Sequence, residues 1–128
     1  AIVANNHIYD YGYEGLENTI AILKDAGVEP LGLKRLNGLD QGVVPLEVKG
    51  VNIGLLCCGW TRVRQNMDSP NVYWEYNEEE IVTTIKNARQ EFDHLMVVCH
   101  KGKMFVEYPI IENRLALIHL HRVYRESH

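Results

Sequence analysis

Asn5, Asn6 and His7 follow the apolar opening of this chain, residues 1–4, and Asp10 stands shortly beyond them. An amide carbonyl and a neutral imidazole can share the shell of a divalent metal. A second imidazole beside them can protonate a leaving oxygen or stabilise a transferring phosphoryl group. That second group exists in the sequence: His100 closes the apolar run "LMVVC". A plainer account fits the same spacing. Asn5 and Asn6 would form a turn, His7 would cap the helix that follows, and Asp10 would anchor the loop by accepting backbone N–H bonds. Spacing alone leaves both open.

Other polar groups carry less. Glu78, Glu79 and Glu80 form an acidic cluster that suits the positive end of a helix dipole better than a metal. His119 and His121 are two apart, so on a helix they diverge and on a strand they would share a face. Arg62 and Arg64 could hold an anionic substrate. Trp60, Tyr73, Trp74 and Tyr76 bracket that same region and could stack on a sugar or simply pack the loop down. Cys57, Cys58 and Cys99 make an odd set without CxxC spacing. They read as buried free thiols, which argues against a disulfide framework or a zinc cluster and leans toward a reducing compartment.

The elements that must position these groups are legible in outline. "AIVA" (1–4) reads as the tail of a strand. Leu16, Ile20, Leu23 and Ala26 fall at helical spacing, and Gly27 supplies a stop. "VEPLGL" (28–33) is an edge or irregular extended piece because of Pro30. Residues 36–42 have loop chemistry. "VVPLEVKGVNIGLLCC" (43–58) predicts a hairpin turning at Lys49-Gly50. Residues 59–76 have no clean period, and a loop of that length is functional or disordered. Asn77 with Glu80 starts a helix by capping-box spacing, continued by Ile81, Ile85, Ala88 and Phe92. "HLMVVCH" (94–100) reads as a buried strand. Residues 101–109 form a loop, and 110–126 form a helix with Ile111, Leu115 and Ile118 on one side.

This order predicts an α/β domain, a layered mixed sheet flanked by helices. Ligands in such sheets collect beyond the carboxyl ends of the strands. The "NNH" loop and His100 both fall there.

With 128 residues, 46% of them hydrophobic, the chain is long enough for one domain with a real core. A net charge of −4 gives no electrostatic reason to expect nucleic acid or an anionic membrane as partner. No apolar run reaches the length of a membrane span. The opening residues do not read as a signal peptide, which would show a basic start and a small-residue cleavage site.

The string "ANNHIYDYGYEGLENTIAILKDAGVEPLG" resembles the CapA family of capsule and poly-γ-glutamate biosynthesis proteins. Asn6, His7, Asp10, Gly12, Gly15, Thr19, Leu23, Ala26, Gly27 and Gly32 occupy the family's places. "PLEVKGVNIGLLC" is similar to its hairpin, "ARQEFDHLMVVCHKG" to its helix, strand and H-x-G motif, and "VEYP" to the segment that follows. The resemblance implies the fold of the calcineurin-like metallophosphoesterases, a four-layer α/β/β/α arrangement. It implies Asn6 and His100 as metal ligands and His7 as the catalytic or phosphate-stabilising histidine. Asn5 and Asp10 on the same rim, with Arg62 and Arg64, are the substrate-binding candidates. The implied cofactor is a divalent metal: Mn, Zn, Fe or Mg.

Departures from the family pattern shape the rest of the expectation. The family's Gly-Asp and Asn-x-Glu motifs would precede Ala1. The "ALIHLHRVYRESH" ending does not match its "GHHPH"-like motif, and Lys101 and Met104 stand where a neutral and an acidic residue belong. The chain therefore reads as a single incomplete CapA-like domain, 1–128, that binds metal weakly, if at all, by itself. Its parent would be a metal-dependent hydrolase or transferase of capsular polymer synthesis, or else a non-catalytic structural or partner-binding subunit. Its partners would be polymer-synthesis proteins, or a second chain or copy completing the sheet. The resemblance implies a bacterial membrane-associated or extracytoplasmic location, against the lean of the cysteines.

Overall fold

A computed structural model describes residues 1–36, 39–40, 42–59, 77–101 and 111–126. Arg62, Arg64 and the four aromatics of the long loop lie outside the described residues, as does Met104. In chain order the elements are α1 (Gly12–Asp25), β1 (Lys34–Leu36), β2 (Leu39–Asp40), β3 (Val43–Val48), β4 (Val51–Gly59), α2 (Glu78–Ala88), β5 (His94–His100) and α3 (Ile111–Glu126).

The centre is the sheet β3-β4-β5, with β3 antiparallel and β5 parallel to β4. Val48 faces Val51 across the hairpin, so Lys49 and Gly50 alone make the turn. Both have positive φ, 52° and 81°. That is the turn type whose twist matches that of the flanking strands. The expected hairpin and the mixed α/β sheet are both present. A parallel pair needs a crossover, and α2 supplies it. Asn77 caps α2 as its spacing predicts, its side-chain oxygen accepting from the Glu80 N–H at 3.2 Å.

Residue parity divides the sheet into two faces. On the first lie Leu56 and Cys58 of β4 with Leu95 of β5, buried together with Ile81, Ile85 and Ala88 of α2 and Leu120 and Val123 of α3. Burying each such Leu or Ile contributes about 1.5–3 kcal/mol. A second cluster joins Val3, Ala4 and Leu33 to Leu16 and Ile20 of α1. It meets the other face of the sheet at its carboxyl end.

Several elements differ from expectation. Residues 1–4 are not a strand; Ile2 makes one parallel bridge to Leu31. Within the stretch read as loop, 36–42, lies β2, which pairs with β1 in a short antiparallel ladder. β5 is less buried than its apolar run suggested: Leu95 is buried on the first face, whereas Met96 on the second is 52% exposed. Hydropathy cannot separate a strand covered on both faces from one covered on one. In α3, Ile111, Leu115 and Ile118 are exposed. A second stripe of the same spacing, Ala116, Leu120 and Val123, is the buried one. Leu120 and Val123 of this stripe join the core built by α2 and the sheet.

Candidate metal and acid–base site at the strand ends

The site is assembled by one rung of the sheet. Gly59 of β4 and His100 of β5 are paired, both on the second face and both at the carboxyl end of their strands. A Cβ on Gly59 would run into the carbonyl of Ala4, and 3.2 Å from the Asn5 nitrogen. The missing side chain is thus the space the N-terminal segment occupies. The chain turns away at Asn5, and Asn6 meets His100.

Five polar side chains, four from the loop and His100 from β5, then hold it in place. Asn5 accepts from the His7 N–H through Oδ1 at 2.9 Å and donates through Nδ2 to the Val3 carbonyl at 3.1 Å. Both ends of its amide serve the turn. Asp10 Oδ2 lies 2.7 Å from His7 Nδ1. A carboxylate only accepts, so Nδ1 carries the proton and Nε2 is left as the working nitrogen. His7 does not cap α1: that helix starts after Tyr11 with no side-chain cap. His100 Nε2 lies 2.9 Å from Asn6 Oδ1, a contact between residues 94 apart in sequence. Since the amide oxygen only accepts, His100 donates from Nε2.

The arrangement can do two things chemically. Adjacent ligands on one divalent cation, each about 2.1 Å from it at near right angles, sit about 3 Å apart. Asn6 Oδ1 and His100 Nε2 have that separation. His7, held by Asp10, has the geometry of an oriented acid–base imidazole. Asn5, Asn6, His7, Asp10 and His100 are therefore brought to one end of the sheet. His119 and His121 lie on α3, where their spacing separates them, and both are exposed. Among the described residues no group of three or more His, Cys, Asp or Glu side chains is placed to hold a metal ion.

Sequence reasoning missed two features here. Gly59 ends the apolar run "LLCCG", a signal for close backbone approach. The other feature is the pair Cys58 and Cys99, opposite each other on the first face with sulfurs 3.1 Å apart. Either thiol can donate in this hydrogen bond. That bond, with burial, pushes the Cys58 thiol up. The same bond, aided by the nearby Lys101 charge, holds Cys99 below the ordinary thiol range. Cys57, on the opposite face, is raised by burial.

The described residues form an α/β domain in which an Asn-His loop meets a histidine at the carboxyl end of β5. Residues 1–119 match the family described as bacterial capsule synthesis protein PGA_cap, and the chain belongs to that family. It is also 53% identical over 30 residues to proteins named "Probable polyglutamine synthesis accessory protein" from Mycobacterium tuberculosis strains H37Rv and CDC 1551. The aligned stretch takes in 23% of this chain and 8% of each relative.

Proposed function

We propose that this chain supplies one corner of a metallophosphatase-type site, serving a metal-dependent hydrolase or transferase step in capsular or poly-γ-glutamate polymer synthesis. Family membership supports the biological setting. The observation that carries the chemical reading is the 2.9 Å approach of Asn6 Oδ1 to His100 Nε2, two donors of the right type at the right separation.

A divalent metal fits these two residues as part of its ligand set. When bound it would supply Lewis-acid polarisation of a phosphoryl oxygen. The residues have their own tasks. The proton on His100 Nε2 occupies the ligand position, so binding shifts that ring to its Nδ1–H form. Asp10 keeps the proton of His7 on Nδ1, so Nε2 faces outward to accept or deliver a proton at a phosphoester oxygen. The reading takes the chain as a single incomplete domain, 1–128, of the four-layer type. Its remaining ligands would then come from other segments or a partner chain.

A second reading has its own support. The described residues contain no three-ligand cluster, and the mycobacterial relatives are named accessory proteins. On this reading the chain is a non-catalytic, partner-binding part of a polymer-synthesis complex.

Calorimetric titration of Mn²⁺ and Zn²⁺ into metal-free protein separates them. The metallophosphatase reading expects stoichiometric binding that His100→Ala weakens at least tenfold, about 1.4 kcal/mol. His7→Ala should leave affinity nearly unchanged and remove phosphoester turnover where that occurs. Absence of binding, or binding indifferent to His100, would sink the catalytic reading for this chain.

A further inference from the structure

One rung before the candidate site, and on the opposite face, the sheet carries a second chemically competent pair. Cys58 and Cys99 are direct partners across β4 and β5, with sulfurs 3.1 Å apart. The two differ in access. Cys58 is fully buried. Cys99 lines a cavity of about 460 Å³ between α2, β5 and α3, bounded also by Leu95, Val97, Leu117, His121 and Tyr124. Cys57 follows the opposite parity and cannot reach Cys99 without turning over the strand.

We propose that Cys58 and Cys99 are a reversible dithiol–disulfide pair, oxidised in place by small dialkyl disulfides that reach Cys99 through this cavity. In the first exchange the Cys99 sulfur attacks one sulfur of the reagent RSSR. A Cys99–SR bond forms, the S–S bond breaks, and one RSH leaves with the Cys99 proton. In the second, Cys58 attacks the Cys99 sulfur and expels the other RSH, taking the Cys58 proton. Two thiols lose two electrons and two protons, and the reagent gains both. Adjacent strands lie about 4.8 Å apart, whereas a disulfide wants its Cβ atoms about 3.5–4.5 Å apart. Closing the bond draws the strands together, so the product is readily reduced again. The bond would lie directly below Gly59 and His100, fixing β4 against β5 at the base of the site.

The test uses the reduced wild-type chain and 2-hydroxyethyl disulfide without denaturant. All three cysteines start free. The expected result is loss of two thiols, an intact mass lower by two hydrogens, and a Cys58–Cys99 cross-link. Fragmentation between the neighbouring Cys57 and Cys58 must locate that cross-link, and excess dithiothreitol must reverse it. Cys58→Ser should stop at the mixed disulfide on Cys99. Should that variant not fold, the wild-type map decides alone. Retention of all three thiols, a cross-link to Cys57, or a mixed disulfide that Cys58 never resolves would each overturn the proposal.

Discussion

At the scale of single residues, the two histidines of the site are set in opposite tautomers by unlike partners. Asp10 accepts from His7 Nδ1 at 2.7 Å, and Asn6 accepts from His100 Nε2 at 2.9 Å. Free imidazole favours the Nε2–H form, so His7 is the one held away from its default. Ring nitrogen shifts measured by NMR on the neutral, metal-free protein should therefore show Nδ1–H for His7 and Nε2–H for His100. Asp10→Ala should return His7 toward Nε2–H and leave His100 alone. A His7 ring that ignores this substitution would mean that the Asp10 contact, which is solvent-exposed, is not held in solution. The residue types were legible from sequence, their assignments less so. Asn5 makes a turn, while Asn6 reaches across to His100. Only the fold can say which asparagine does which, because that depends on a strand end 94 residues away.

At the scale of elements, strand parity controls everything that happens at the carboxyl end of the sheet. The rung Cys58–Cys99 faces α2 and α3, and the next rung, Gly59–His100, faces the N-terminal segment. Gly59 is the hinge of this arrangement because the Ala4 carbonyl stands where its Cβ would be. Gly59→Ala must push residues 4–5 off the strand, a backbone shift that costs about 1–3 kcal/mol. It should also separate Asn6 from His100. Urea denaturation would report the first effect and the His100 ring nitrogen shifts the second. Unchanged stability together with an unchanged His100 tautomer would show that the N-terminal segment lies elsewhere. Local patterns sufficed for elements set by local chemistry: the Lys49-Gly50 turn, the Asn77 cap and the stripe of α2 on Ile81 and Ile85. They failed where tertiary packing chooses between equals. In α3 two apolar stripes have the same spacing, and only packing against the core of α2 and the sheet selects the one that carries Leu120 and Val123. In β5 the apolar run does not reveal that Met96 stands on the thinly covered face.

At the scale of the whole molecule, the described residues form two apolar clusters. One lies between the sheet and α2–α3, and the other joins residues 3–4, Leu33 and α1. The Asn6–His100 contact bridges them, along with the approach of Ala4 to Gly59. A cation held by Asn6 and His100 would tie one cluster to the other as well as occupy the site. Saturation at a hundredfold excess over Kd adds about 2.7 kcal/mol to the unfolding free energy, provided the metal ignores the unfolded chain. Melting in Mn²⁺ should then rise by several degrees in the wild type and hardly at all in His100→Ala. Native-state hydrogen exchange gives the sharper test, because it shows where that energy goes. The Val3 N–H bonds to the Leu31 carbonyl at 2.9 Å, entirely within the N-terminal cluster. If the metal links the clusters, exchange of Val3 must slow together with that of β5. Slowing confined to β5 would mean that the cation sits on His100 alone and that Asn6 takes no part in holding it.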